Sequence, residues 1–245
     1  MLVITTTTTK PKAHQIERAK EVAHYCNAPF WPRRGSLERV VGESGASIAY
    51  VVGQEREWLQ QGGQTLFVNL GMLATRRAAG HKHPLIKAIG PASTIIDSTL
   101  GLAADALHIS AVLGARIVGI EGSPPVCCLL EEGLSRLAIA EPAAKAISLM
   151  PGPATEVLPT LAPADVVFVA PMFSNPKKAP PGYALFRQIA LHTPFTKTWL
   201  DAAIWKARSR VVLKVMAGEE APDFVMAQKH SLIRGKAVDY FVILT

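Results

Sequence analysis

No apolar run in this chain approaches the roughly 18–20 residues needed to cross a bilayer. The opening MLVITTTTTKPK has neither the charged start nor the long apolar stretch of a secretory signal. Cysteine is scarce, with Cys26, Cys127 and Cys128 the three in 245 residues. Three thiols build no disulfide framework, and the adjacent pair suits a reduced helix face better than a metal site. His81 and His83 alternate, but neither a cysteine nor a carboxylate stands beside them. The chain also lacks the three-glycine fingerprint of a dinucleotide site, which counts against a nicotinamide enzyme. The expectation is a cytoplasmic protein with no membrane span and no metal.

The chain is long enough for a full core, and its hydrophobic content of 49% suits an α/β protein with a buried parallel sheet. Charge is unevenly spread. Residues 1–90 hold 12 Lys and Arg against 6 Asp and Glu, residues 91–170 hold 3 against 8, and residues 171–245 hold 11 against 5. Two basic flanks around an acidic middle suit a polyanionic partner such as RNA, though ordinary solubilising charge gives the same count.

The acidic middle carries the clearest pattern. Thr94–Ile96 is a short apolar run ending on Asp97, followed by the small-residue turn Ser98-Thr99-Leu100-Gly101-Leu102-Ala103-Ala104. Leu102, Ala106, Ile109 and Leu113 then recur at helical spacing, Gly114 stops that helix, and Arg116–Ile120 is a second apolar run ending on Glu121. Strand, tight turn, helix and strand, with a carboxylate about 20 residues past the glycine, is the layout of a nucleotide-binding unit. The turn allows close backbone approach, and Glu121 can accept hydrogen bonds from both hydroxyls of a ribose. A single turn glycine favours an adenosine ligand without a pyrophosphate.

Further strands are expected at 146–150, 165–169 and 210–216, alternating with helices, so the fold class is α/β, a doubly wound (Rossmann-like) parallel sheet. Residues 224–233 and 236–244 face each other across Arg234-Gly235 as a closing antiparallel hairpin. Residues 1–70 read as a small α+β cap, in which strand 2–6 frays along the threonines, helices follow at 12–26 and after Ser36, and short strands lie at 48–52, 58–60 and 66–69. Residues 71–90 read as a basic linker, and residues 91–245 as the ligand-binding domain. Within the linker Arg76, Arg77 and Lys82 could contact phosphate or simply be solvated. In Val166–Lys178 a buried strand ends at Ala170, and Pro171-Met172-Phe173 turns out beside the first ligand turn. Phe173 could stack on a base and Lys177 and Lys178 could meet phosphate, or the loop could be ordinary packing.

These stretches converge on a family. Asp97-Ser98-Thr99-Leu100-Gly101-Leu102-Ala103-Ala104-Asp105-Ala106 resembles the D-A-T-A-G-L-G-x-D-A motif of the bacterial RsmJ-type methyltransferases. Ile120-Glu121-Gly122-Ser123-Pro124-Pro125-Val126 resembles that family's L-E-R-N-P-V-V segment. Ala170-Pro171-Met172-Phe173 stands where its D-P-M-F falls, and Arg210–Lys214 resembles its R-V-V-V-K strand. The likeness runs from about Leu66 to the end. It implies a class I fold with S-adenosylmethionine as cofactor and methylation of an exocyclic base amine in small-subunit ribosomal RNA. It also implies that Asp97, Thr99, Gly101, Leu102, Ala103, Asp105, Glu121, Gly122, Ser123, Gly152 and Pro153 surround the cofactor, and that Ala170, Pro171, Met172 and Phe173 hold the target. Three positions depart from the family pattern. Ala103 replaces a glycine and adds a Cβ where the cofactor is expected, Ala170 replaces the motif aspartate, and Pro153 lies near a missing acidic residue. A relative that binds cofactor or RNA without turnover is the alternative that Ala170 raises.

Overall fold

The computed structural model describes residues 2–172 and 182–245. Among them, strands β1 (Val3–Thr7), β2 (Ile48–Val52), β3 (Glu57–Gln61) and β4 (Gln64–Leu66) form an N-terminal sheet in that order, with β1 parallel to β2 and the others antiparallel. Every residue of β2 is buried because both faces are covered. Ile48, Tyr50 and Val52 meet Ala19 and Val22 of helix α1 (Ala13–Tyr25) in one cluster, while Ala49 and Val51 meet Leu37 and Val40 of α2 (Leu37–Ser44) in another. Ser36 starts α2 by accepting the Arg39 N–H at 3.2 Å. The threonine run does not fray at its start. Thr5, Thr6 and Thr7 are buried in β1, held between β2 and a backbone bridge to Phe30.

Residues 71–90 are not a linker. They form α3 (Gly71–Arg77), a 3-10 turn over Gly80–Lys82 and α4 (Pro84–Ile89). Leu73, Leu85, Ile86, Ala88 and Ile89 are buried, and Pro84 opens α4 at its first turn behind the N-cap His83. The basic side chains of this stretch alternate with apolar residues at helical spacing, which pack inward.

The large sheet comprises β5 (Thr94–Asp97), β6 (Arg116–Glu121), β7 (Ile147–Pro151), β8 (Ala164–Val169), β9 (Ala207–Met216), β10 (His230–Ile233) and β11 (Val238–Leu244). Its order is β10-β11-β9-β8-β5-β6-β7, parallel from β9 to β7, with β11 antiparallel to both β9 and β10. Between the strands run α5 (Ala104–Leu113), α6 (Pro124–Leu137), α7 (Pro142–Lys145), α8 (Ala154–Val157), α9 (Tyr183–Ile189), α10 (Lys197–Lys206) and α11 (Asp223–Met226). The expected hairpin is present but shorter at its start, because Phe224–Met226 belong to α11 and β10 begins only at His230. From β5 the chain builds outward through β6 and β7, then crosses to β8 on the other side. That reversal opens a crevice at the carboxyl ends of β5, β6 and β8.

The N-terminal sheet shares a core with the large one. Ala19, Val22, Tyr50, Leu59 and Val68 lie in the same cluster as Leu129, Leu130 and Leu134 of α6. Gly133 of α6 is a glycine for a packing reason, since a Cβ there would lie 2.4 Å from Val68. Among the described residues no helix is long and apolar enough to cross a membrane.

Candidate active site

A cavity of about 500 Å³ fills the crevice. Its first wall is the turn after β5. Gly101 has φ +54°, a left-handed conformation that favours glycine, and a Cβ there would press on the Phe186 ring at 3.3 Å. Asp97 is buried, and its Oδ1 accepts the Thr99 N–H at 3.0 Å and the Thr99 hydroxyl at 3.3 Å. The same hydroxyl accepts the Ala170 N–H at 2.7 Å, which ties the ends of β5 and β8 together. Burial pushes the Asp97 carboxyl up to about 7, against the opposing Thr99 N–H bond.

The second wall is the end of β6. Glu121 is 8% exposed and folds back over the turn, where Oε2 accepts the Gly101 N–H at 3.1 Å and Oε1 the Ser123 N–H at 2.7 Å. Among the described residues no ion pair reaches this carboxylate. Burial therefore pushes it up to about 7, and the backbone bonds only moderate that rise. A Cβ on neighbouring Gly122 would lie 2.5 Å from Leu191 and 3.5 Å from the Gly152 carbonyl oxygen, so the backbone there runs in close quarters. A buried acceptor without a cation, beside side-chain-free backbone, fits a ligand that brings neutral donors such as the paired hydroxyls of a ribose.

The third wall holds opposite electrostatics. Asp105, in the first turn of α5, accepts Lys214 at 2.6 Å on Oδ2 and Arg76 at 2.5 Å on Oδ1. Burial alone would raise this carboxyl, but Lys214 and Arg76 overcome it and hold the group far below the usual carboxylate range.

Of the residues expected around a cofactor, Asp97, Thr99, Gly101, Leu102, Asp105, Glu121 and Gly122 line the cavity, and Ala170, Pro171 and Met172 join them from the end of β8. Ala103 does not. It has φ +60°, is fully buried and packs in the core cluster, so its Cβ does not obstruct the cavity as expected. Ser123 supports Glu121 through its N–H, and its hydroxyl donates to the Ile189 carbonyl at 2.6 Å. Gly152, with φ +132°, donates its N–H to the Glu121 carbonyl at 2.8 Å. Pro153 caps α8, whose first residue Ala154 reaches the cavity instead.

Phe173, Lys177 and Lys178 lie outside the described residues. Arg76 is corrected from a surface phosphate contact to half of a largely buried ion pair with Asp105. Arg77 is exposed but hydrogen-bonds Glu141 at 3.0 Å, and Lys82 is exposed on its turn. The residues not foreseen form the far wall: Tyr183 and Phe186 of α9, the segment Leu191–Phe195, Trp199 of α10, and Lys214. Only Lys214 carried a signal, a charge near the carboxyl end of the apolar run Val211–Met216. Among the described residues no cluster of three or more His, Cys, Asp or Glu could hold a metal.

A family model described as "Putative SAM-dependent methyltransferase" matches residues 54–244. The chain is 31% identical to the uncharacterized protein YpiP of Bacillus subtilis over 85% of this chain and 87% of that one. It is 35% identical to ribosomal RNA small subunit methyltransferase J of Rhodopseudomonas palustris, over 69% and 81% respectively. Among solved structures, the SAM-dependent methyltransferase NGO1261 of Neisseria gonorrhoeae superposes with a TM-score of 0.70 at 21% identity, covering 98% of this chain and 95% of that one, which establishes the shared fold.

Proposed function

Because the chain belongs to the SAM-dependent methyltransferase family and is an enzyme that uses S-adenosylmethionine, we propose that it methylates RNA, at an exocyclic amine of a small-subunit ribosomal RNA base. S-adenosylmethionine, when bound, supplies an activated methyl group on a sulfonium. Glu121 would accept hydrogen bonds from the ribose hydroxyls, and the Gly101–Leu102 backbone would run along the methionine portion. Tyr183, Phe186, Pro171 and Met172 give the acceptor side apolar and aromatic surfaces against which a splayed base could be held. Catalysis of this kind is mainly positioning. With alanine at position 170, the acceptor that would orient the amine is reduced to the Ala170 carbonyl. The Ala170 N–H is already fixed by Thr99.

The observation that carries the RNA reading is the approach of one basic segment from each flank, His81–Pro84 and Arg234-Gly235-Lys236. The turn Arg234-Gly235-Lys236 between β10 and β11 lies at the carboxyl end of β9, because Val238 pairs with Met216. Asp239 fastens it there, accepting N–H groups from Gly218 and Gly235, each at 3.0 Å. A Cβ on Gly235 would lie 3.7 Å from Pro84, so this turn also borders the His81–Pro84 segment. Exposed Arg234 and Lys236 thus lie close in space to exposed His81 and Lys82, near the carboxyl end of β9 that brings Lys214 to the cavity, and the family relative at 35% identity is named for ribosomal RNA. The test is methyl transfer from labelled S-adenosylmethionine to ribosomal RNA of cells lacking the protein. Cofactor binding with no transfer to any RNA would sink the reading. Ala170 motivates the second reading, a cofactor-binding relative without turnover. It predicts that Ala170→Asp gains activity absent from the native protein.

A further inference from the structure

We propose that Cys26 and Cys128 are a peroxide-reactive thiol pair that closes into a reversible intramolecular disulfide, tying the N-terminal sheet unit to the methyltransferase sheet. Cys26 ends α1, and Cys128 lies in the second turn of α6. Their sulfurs are 3.9 Å apart across 102 residues of chain. Sulfurs already near van der Waals contact need to close by about 2 Å to bond, within reach of side-chain rotation at the end of α1. Cys26 is half-buried and open to a small oxidant, whereas Cys128 is buried behind it.

The surroundings divide the roles. The hydrogen bond with Cys128 holds the Cys26 thiol below its ordinary range. Burial opposes that shift, and the Arg18 guanidinium assists it. The same hydrogen bond, with burial, pushes Cys128 up. Cys127, one residue away, points elsewhere. Its thiol donates to the Glu121 carbonyl at 3.2 Å, and burial pushes it up to about 12.

The chemistry balances with a hydroperoxide as oxidant. The Cys26 thiolate attacks one peroxide oxygen, an S–O bond forms, the O–O bond breaks, and hydroxide leaves to take up a proton as water. The Cys128 thiol then attacks the sulfenic sulfur, the S–S bond forms, and the S–O oxygen departs as water with the Cys128 proton. Two thiols are oxidised by two electrons and one peroxide is reduced to two waters.

The full chain would be treated with hydrogen peroxide and read by intact mass, peptide mapping and melting temperature. The expected result is loss of two hydrogens, a linked Cys26–Cys128 peptide, reversal by a dithiol, and a melting temperature higher by about 10 °C for so long a closed loop. Cys127→Ser should behave as the native chain. Cys128→Ser should trap Cys26 as a dimedone-reactive sulfenic acid, and should Cys128→Ser not fold, Cys26→Ser should leave Cys128 unoxidised. A linkage through Cys127, oxygen adducts on Cys26 without a link in the native chain, or reaction no faster than that of free cysteine would each overturn the proposal.

Discussion

Two carboxylates, Glu121 buried and Asp105 largely so, face the same cavity and differ in almost every other respect. Asp105 holds two cations, whereas Glu121 holds only backbone N–H groups. Burial acts on both in the same direction, yet one carboxyl lies far below its ordinary range and the other well above it. The contrast separates two kinds of acidic residue in a binding site. A carboxylate satisfied by cations from its own chain braces the wall. One left without a cation retains acceptor capacity for a ligand.

The largest test removes the brace. Asp105→Ala leaves the partly buried Lys214 and Arg76 without their carboxylate and should destabilise the fold by about 2–3 kcal/mol, read as a fall in melting temperature. A loss near zero would show that solvent already satisfies both cations. Next, Glu121→Ala should weaken S-adenosylhomocysteine binding by about 1–3 kcal/mol in calorimetry, with a much smaller change in melting temperature than Asp105→Ala. Equal thermal losses from the two variants would erase the distinction between brace and ligand acceptor.

The third test uses pH. Glu121 and Asp97 both stand near 7 in the folded chain, above their ordinary values, so the free protein is favoured by their protonated forms. That contribution is complete below about pH 4 and is lost as pH rises through about 7. Asp105 runs the opposite way, and its contribution fades only in strong acid. Hydroxyl donors prefer the ionised Glu121. Adenosine, which has no titrating amino-acid portion, should therefore bind up to about tenfold more tightly at pH 8 than at pH 6, with proton release detectable in buffers of different ionisation enthalpy. A flat profile would remove Glu121 from the ribose site. The smallest effect is at the start of α5. Ala103→Gly relieves a left-handed alanine and should raise stability by up to about 1 kcal/mol without altering cofactor affinity. A change in affinity would place Ala103 back at the cofactor.

The β5–β6 side of the cavity was legible because its information is local. Asp97, Gly101 and Glu121 fall within 25 consecutive residues, and strand, turn, helix and strand can be read from apolar spacing. The wall from α9 and α10 was not. Phe186, Leu191 and Trp199 carry no pattern that separates a cavity wall from a core face, and Ala170, Pro171 and Met172 reach the cavity only because β8 lies beside β5. The basic stretch 71–90 misled for a related reason: its charges are conspicuous in sequence, while the burial of Leu85, Ile86 and Ile89 depends on β9 and β11, more than a hundred residues later.

By itself the sequence determined the alternation of strands and helices, the position of the ligand turn and the acidic residue at the end of β6, since each follows from the spacing of neighbouring residues. Only the tertiary structure decided which carboxylate is braced and which is open, that Ala103 packs in the core, that the turn at Gly235 lies beside Pro84, and that Cys26 touches Cys128. Those outcomes depend on partners 29, 102 and 109 residues distant, and on a loss of water that no local pattern encodes.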